Sequence, residues 1–330
     1  METAKTLSNI PATTATIKNI QTPVVLSIDK VENAVDVFLS FQQVKHNTPS
    51  TYKRALRQFF GWVNRTGRVI GELTRADVLS FIREMESAEL SPNTINSYLT
   101  AIRRFYAFTD LYGVFPNIAK EIKGARTNAT SEHEKSDFTT TQAGDILTAT
   151  QETGNKRDIA IMELMFRCGL RTIEVVRADI RDVELVGDVY TLKVHGKGDK
   201  FRRVPMTPKA WTALNDYLTT ERKGAKDNEP LFTSNAHQCK GGRLATASVS
   251  RMAKKNIRAV GINDAKHTAH SCRHTALGAI LEYSDDPAAL TNAQILAGHS
   301  NPETTMVYVK QAATRRFMQN GPNLILDKLF

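Results

Sequence analysis

Six polar side chains in the second half of the sequence are of the types needed for one reaction on a phosphate diester. Arginine, lysine and histidine can surround the non-bridging oxygens of a phosphate and manage its protons, and tyrosine can attack the phosphorus. The sequence shows no Asp/Glu pair at a spacing that would hold Mg²⁺, so the positive charge must come from side chains. The six residues are Arg171, Lys197, His270, Arg273, His299 and Tyr308.

Four short motifs carry these residues in a fixed order, at 168–174, 195–200, 270–275 and 298–305, and Tyr308 follows. Each motif is weak by itself, but all four occur together, and Tyr308 lies nine positions after His299. In this order and context the chain resembles the tyrosine recombinase family of phage integrases and Xer-like proteins. The resemblance runs from about residue 31 to about residue 310.

The resemblance implies a covalent reaction on DNA. Tyr308 attacks a backbone phosphate and forms a 3′-phosphotyrosyl link, and Lys197 protonates the departing 5′-oxygen. Lys200 is a competing candidate for that acid. His270 either donates to a phosphate oxygen or handles the proton of the tyrosine. The link to the protein conserves bond energy, so the resemblance implies that neither ATP nor a metal cofactor is needed.

Arginine and histidine are expected to bind the phosphate itself. By resemblance Arg171 and Arg273 clamp its oxygens, and His299 donates a hydrogen bond to it. Glu174 lies one helical turn after Arg171, so it is expected to pair with that arginine or to orient the site.

Several alternatives compete with these interpretations. His267, His270 and His274 together permit a metal cluster, which the lack of a supporting acidic or cysteine ligand disfavours. His274 is interpreted as a buried structural histidine. Other tyrosines could be mistaken for the nucleophile, but none stands in the same relation to His299. Those tyrosines are Tyr190, Tyr217 and Tyr283.

Composition supports a polyanionic partner. Lys+Arg number 44 against 34 Asp+Glu, which gives a net charge of +10, and such an excess favours binding to phosphates with release of counterions. The three cysteines show no C-x-x-C spacing, so neither a zinc finger nor a disulfide framework is indicated, and a cytoplasmic location fits. No apolar run is long enough to span a membrane.

The first half of the chain predicts a small helical domain. Residues 1–28 are interpreted as a disordered or weakly ordered leader, and 29–124 as four amphipathic helices that form an all-α domain. Thr74 with Asp77 resembles a capping box, and Ser91 before Pro92 reads as a helix cap. By resemblance this is the SAM-like core-binding domain.

The second half predicts a mixed domain. Residues 125–137 are polar without periodicity and are interpreted as a linker, and 138–330 as the catalytic domain. Thr140 or Thr141 is expected to cap its first helix, and two strands, 189–194 and 201–206, are joined by a Gly-rich turn. The fold class is therefore mainly α with a small β-sheet. The role of the 283–287 loop is open.

Polar faces of the second and fourth helices, together with the predicted hairpin, give the candidate DNA contacts. By resemblance, the two helices lie near the major groove. The candidates are Lys53, Arg54, Arg57, Asn93, Asn96, Thr100, Arg103, Arg104, Lys200 and Arg202.

Taken together, the sequence predicts a site-specific recombinase that passes through a Holliday junction in integration, excision, inversion or dimer resolution. By resemblance the working unit is a homotetramer, or a hetero-tetramer with a paralogue, on two inverted-repeat core sites in the nucleoid. An accessory DNA-bending or activating protein is a further candidate partner. The apolar tail at 322–330 is expected to support assembly. The alternatives are a catalytically inactive DNA-binding protein of the same fold and a type IB topoisomerase.

Overall fold

The computed structural model describes residues 28–41, 48–125, 137–196 and 201–320. The chain divides into two units, Met1–Ser131 and Glu132–Phe330. The predicted leader at 1–28, apart from its last residue, and the predicted assembly tail at 322–330 lie outside the described residues. Most of the predicted linker does so too, and the predicted domain bounds therefore stay predictions.

In the described part of the first unit, four α-helices bring their apolar faces together. They are α1 (Ile28–Phe41), α2 (Thr48–Arg65), α3 (Arg75–Ser87) and α4 (Pro92–Leu111). Ile95, Leu99, Ile102 and Tyr106 recur at helical spacing along α4, and all four are buried as their periodicity predicts. The core around them is aromatic, with Phe59 packed among neighbouring rings.

Two predicted helix starts are confirmed by hydrogen bonds. The side chains of Thr74 and Asp77 form a capping box at the start of α3. Ser91 Oγ accepts from the backbone N–H of Thr94, and Pro92 occupies the first turn of α4. These caps fix where the helices begin.

The second unit is built around one buried helix. Its helices are α5 (Thr140–Glu152), α6 (Lys156–Arg167), α7 (Thr172–Arg177), α8 (Pro208–Glu221), α9 (Thr246–Ala259), α10 (Ala269–Tyr283), α11 (Ala289–Ala297) and α12 (Pro302–Asn320). The α6 helix is buried from Ala160 to Phe166 and contacts α5, α8 and α10. The cap of α5 is Thr139, one residue before the predicted Thr140 or Thr141, because its hydroxyl accepts from Gln142.

Three antiparallel strands lie in the order β1 (Val183–Val186), β2 (Val189–His195) and β3 (Phe201–Pro205). The two predicted strands are confirmed as β2 and β3, whereas β1 was not predicted. In the β2–β3 register Leu192 pairs with Val204 and Val194 with Arg202. Because side chains alternate along a strand, Arg202 and the buried Val204 point to the same face.

Glycines end two of the helices beside the predicted site. Gly169 follows α6 with φ of +61°, and Gly298 follows α11 with φ of +61°, a conformation that glycine adopts without a Cβ clash. A Cβ at Gly298 would also lie 3.1 Å from the Arg202 side chain. The residues that follow each glycine can therefore turn into one pocket.

Candidate active site

A single buried carboxylate organises the pocket. Glu174, on α7, is 1% exposed and accepts hydrogen bonds from the side chains of Arg171 and Arg202. Arg273 Nη1 lies 3.9 Å from the same carboxylate. Three guanidinium groups therefore converge on one negative charge.

Arg171 is held by the start of α7. The turn at Gly169 ends α6, and Arg171 is then the residue that precedes α7, with Glu174 three positions later. Glu174 accepts from the backbone N–H of Arg171 at 2.9 Å and from Arg171 Nη1 at 2.9 Å. Arg171 Nη1 also donates to the Ala297 carbonyl at 3.1 Å. The predicted pairing of Glu174 with Arg171 is thus present in the structure.

Arg202 has a different position from the one expected. Sequence reasoning placed it among the DNA contacts, but its guanidinium donates to both oxygens of Glu174, at 2.8 and 3.1 Å, and to the Leu296 carbonyl at 2.8 Å. The side chain is 13% exposed. We therefore assign Arg202 to holding the pocket together. The strand alternation with Val204 is the sequence signal that could have shown it.

Arg273 is the most deeply buried of the three arginines. It is 1% exposed, and its terminal nitrogens donate to the carbonyls of Gly169 and Ala297, each at 2.6 Å. Burial lowers the pKa of Arg273 to about 10, helped by the charge of Arg171, yet the group stays cationic at neutral pH. The carbonyls that end α6 and α11 therefore fix this guanidinium in one orientation.

The pocket keeps an excess of positive charge. Burial raises the pKa of Glu174, but the hydrogen bonds and charges of Arg202 and Arg171 outweigh this and hold that pKa below its usual value. One ionised carboxylate therefore faces three guanidinium groups. The remaining positive charge suits a phosphate diester or its transition state.

His299 follows the glycine that ends α11 and is neutral in this structure. Burial first, and then the charges of Arg273 and Arg171, lower its pKa to about 4. Its Nε2 lies 3.3 Å from Arg273 Nη2, so Nε2 accepts, and Nδ1 lies 2.9 Å from Thr305 Oγ1. This network assigns the proton to Nδ1. An anion in the pocket would oppose the arginine charges and favour the protonated, donating form.

Tyr308 lies on α12 and is 3% exposed in a small cluster with Leu277, Ala293 and Ala297. Its ring is nearly parallel to that of His299, with centroids 6.3 Å apart. Burial raises the pKa of Tyr308 to about 12, against the lowering effect of the nearby Arg273 charge. The predicted nucleophile is thus brought next to the pocket in a neutral form.

Of the histidines on α10, the one that contacts the predicted nucleophile is His274, which was expected to be a buried structural histidine. Its Nδ1 lies 2.6 Å from Tyr308 Oη. His270 is exposed, and its ring centroid lies 4.4 Å from that of His274. No sequence signal distinguished His274, because only the packing of α12 against α10 brings Tyr308 to it.

A cleft of about 710 Å³ opens onto this constellation. Arg171, Arg202 and His299 line it, and so do Gly196 and Phe201, which flank the tip of the β2–β3 hairpin. The cleft is wide enough for a backbone phosphate with its sugar. Lys197 and Lys200 belong to residues 197–200, which lie outside the described part of the chain, so their predicted roles stay predictions.

The other candidate DNA contacts lie on α2 and α4 of the first unit. Arg54, Arg57, Asn93, Thr100 and Arg104 are exposed. Lys53 pairs with Asp36 at 2.5 Å, and Arg103 is half-buried. Asn96 is also half-buried, and its Nδ2 donates to the Ala125 carbonyl at 3.0 Å, which ties α4 to the end of the unit. A contact to DNA stays a prediction for each of them.

The histidine-based metal alternative gains no support from the geometry. Within the part of the chain that the structure describes, no three His, Cys, Asp or Glu side chains are grouped to hold a metal ion. His267 instead pairs with Asp264 at 2.7 Å and stacks on Phe138. None of the described helices has the length and apolar character needed to cross a membrane.

Comparison with known proteins agrees with this fold. Residues 137–315, more than half of the chain, match the model of the phage integrase family, and residues 37–110 match the phage integrase N-terminal SAM-like domain. The chain therefore belongs to the tyrosine recombinase family of phage integrases and Xer-like proteins.

Similar relatives carry the name tyrosine recombinase XerC. The relative from Actinobacillus pleuropneumoniae serotype 7 (strain AP76) is 29% identical, covering 81% of this chain and 84% of its own length. The relative from Neisseria gonorrhoeae (strain ATCC 700825 / FA 1090) is 30% identical, covering 80% and 85%. Both align with about four fifths of this chain.

Solved structures show the same fold at lower identity. The XerH site-specific recombinase bound to palindromic difH substrate, in a post-cleavage complex, superposes with a TM-score of 0.72. It is 18% identical and covers 92% of this chain and 98% of its own. A lambda integrase dimer bound to a COC′ core site gives a TM-score of 0.65 at 14% identity, covering 86% and 77%.

Proposed function

We propose that this protein is a site-specific DNA recombinase that cuts and rejoins DNA through a covalent bond to Tyr308. The observation that carries the proposal is the convergence of three guanidinium groups on Glu174, beside a cleft and next to the buried Tyr308. A protein that only bound DNA would not need to bury such a set of charges, because burial is costly.

The scissile phosphate binds where the cleft reaches Arg171 and His299. The side chain of Arg171 is 30% exposed and can turn its donors towards a ligand, whereas Arg273 is buried beside it. Arg202 keeps both in place through Glu174. Donors that are fixed before the substrate arrives need no reorganisation in the transition state, and each is worth about 10²–10³ in rate.

Tyr308 then attacks the phosphorus and the 5′-oxygen departs. The reaction passes through a pentavalent transition state, whose added negative charge the arginines and His299 stabilise. The products are a 3′-phosphotyrosyl bond and a 5′-hydroxyl. A 5′-hydroxyl from a partner duplex reverses the attack and releases Tyr308, so one phosphodiester replaces another.

Lys197 donates the proton to the departing 5′-oxygen. The support for this role is the position of Gly196 and Phe201, which precede and follow residues 197–200 and line the cleft together with Arg171. A lysine one residue along the chain from Gly196 is near enough to reach the leaving group while the arginines hold the phosphate.

Two duplexes must be cut for strands to be exchanged, so the proposal extends to assembly. We place four protomers on two inverted-repeat DNA sites, with a four-way junction between the two exchanges. The four protomers are copies of this chain, or this chain together with a paralogue, and an accessory DNA-bending or activating protein is a further partner. The described N-terminal helices present basic side chains that suit the duplex, and the net charge of +10 supports a cytoplasmic, nucleoid-associated protein.

The test is a search for the covalent intermediate. A library of nicked duplexes is incubated with the protein, and DNA that stays attached after denaturation is isolated and sequenced. The nick lets the short 5′-hydroxyl strand diffuse away, so the adduct accumulates. Tyr308→Phe is the matched control, because it removes only the nucleophilic oxygen from a buried ring.

An adduct that disappears in Tyr308→Phe supports the proposal, and the sequence of the trapped DNA gives the target site. Tight DNA binding by the wild type without any adduct would instead favour the inactive DNA-binding alternative. An adduct accompanied only by relaxation of supercoils, with no strand exchange, would favour the topoisomerase.

A further inference from the structure

The hydroxyl of the nucleophile contacts a histidine outside the predicted catalytic set. His274 Nδ1 lies 2.6 Å from Tyr308 Oη, and the two ring centroids are 5.3 Å apart. A phenol can donate its one hydrogen, and a neutral imidazole can accept at one nitrogen. We assign the Tyr308 hydroxyl as the donor and His274 Nδ1 as the acceptor, with the His274 proton on Nε2.

Two neighbouring residues of helix α10, Arg273 and His274, point towards different groups. Consecutive helical residues point about 100° apart, so Arg273 reaches the Ala297 carbonyl at the end of α11 while His274 faces α12. His270 lies one turn before His274, and the two rings meet edge to face with centroids 4.4 Å apart. The exposed His270 thus lies between His274 and solvent.

Tyr308 needs a proton acceptor. With its pKa raised to about 12 by burial, only about one phenol in 10⁵ is ionised at pH 7. The charged groups that act on this phenol are Arg273 and Arg171, which lower its pKa, and Asp137, which raises it. Asp137 is held beside α10 because the next residue, Phe138, donates its backbone N–H to Thr275 Oγ1 at 2.9 Å.

We propose that His274 is the catalytic base for Tyr308 in DNA cleavage. As Tyr308 Oη forms its bond to phosphorus, its proton moves to His274 Nδ1 and the imidazole becomes an imidazolium. When the 5′-hydroxyl attacks during ligation, the tyrosine leaves and takes the same proton back. The sequence left two roles for His270, and this assignment leaves it the role of phosphate donor.

The inference rests on the proposed function, and one substitution tests it. His274→Asn keeps an acceptor oxygen near the Nδ1 position but cannot take up a proton. Adduct formation is measured in a single turnover on a nicked duplex at saturating DNA, from pH 5.5 to 9. At neutral pH we expect the variant to be about 10²-fold or more slower, with unchanged DNA affinity.

The shape of the pH profile separates a base from a structural residue. The wild-type rate should rise with pH and level off once the imidazole is neutral. The His274→Asn rate should keep rising, because only ionised tyrosine reacts, so the gap narrows at high pH. His270→Asn, one turn away, is the matched control. It should lower the rate but keep the wild-type profile.

A more acidic nucleophile supplies the decisive measurement. Incorporating 2,3,5-trifluorotyrosine at position 308 lowers the phenol pKa, so a base matters less and the His274→Asn defect should shrink at least tenfold. If His274→Asn slowed adduct formation equally with tyrosine and with trifluorotyrosine at position 308, the assignment would be overturned. It would also be overturned if His270→Asn, and not His274→Asn, gave a rate that keeps rising with pH. Wild-type protein that forms no adduct would contradict the proposed function itself, which is a different result.

Discussion

The two units of this chain use charged side chains in opposite ways. Within the described part of the first unit no charged side chain is buried, and arginines such as Arg54 and Arg104 stand on exposed helix faces. The described part of the second unit buries whole ionic groups, among them Glu174 and Arg273. The first unit is an apolar scaffold with a basic surface, and the second is a polar network inside an apolar core.

The difference follows from what each region has to do. An exposed arginine can approach a DNA phosphate at little cost, since water solvates it before binding. A reacting phosphate instead needs donors that already point at it, which requires burial, and a buried charge is stable only if its partners are complete. Each buried group of the pocket therefore depends on the others.

The largest effect should follow from breaking the buried network at Glu174. Glu174→Gln removes the one negative charge that three arginines share, so we expect the second unit to lose about 3–5 kcal/mol of unfolding free energy. Asp36→Asn breaks the exposed pair with Lys53 and should cost less than about 1 kcal/mol.

The two tryptophans allow each unit to be followed separately. Trp211 lies in the second unit and Trp62 in the first, and the chain has 2 tryptophans. Denaturant unfolding of Glu174→Gln is followed by Trp211 fluorescence in a Trp62→Phe background, and Asp36→Asn in the reverse background. If both substitutions cost the same, the contrast between the two units would be wrong.

A smaller effect is expected from substituting Arg202 of β3, whereas the same substitution at the adjacent Arg203 should have little effect. Arg202→Lys cannot reproduce the two-oxygen contact to Glu174 together with the bond to Leu296, so adduct formation should slow on the order of 10²-fold. Arg203→Lys is the control, because Arg203 is 58% exposed and pairs with Glu184 at the surface. Equal rates of adduct formation in the two variants would show that Arg202 is not needed to hold the pocket together.

The smallest effect is expected in the first unit. Replacing both Arg54 and Arg57 by alanine should weaken DNA binding at every sequence and lower the slope of log affinity against log salt by about 2. Stability and the adduct rate at saturating DNA should stay unchanged. Arg83→Ala, on α3, is the control for a general loss of positive charge. If Arg83→Ala changed the slope as much as the double substitution does, the idea that α2 contacts DNA would be wrong.

Local patterns predicted most of the secondary structure. Thr74 with Asp77 and Ser91 with Pro92 marked helix starts, because a cap depends on residues only three positions apart. Strand β1 escaped prediction since Val183–Val186 is half exposed at the edge of the sheet and too short for a clear alternation. The Thr139 cap was missed by one residue, which is the usual precision of a helix boundary.

The sequence by itself determined the chemistry, because the order of the four motifs and the nine positions from His299 to Tyr308 specify which side chains a reaction on phosphate can use. Only the tertiary structure decided how they are arranged. The contacts of Arg202 with Glu174 and of His274 with Tyr308 join residues 28 and 34 positions apart. Such contacts form only when β3 meets α7 and α12 packs against α10, and no local pattern in the sequence records that packing.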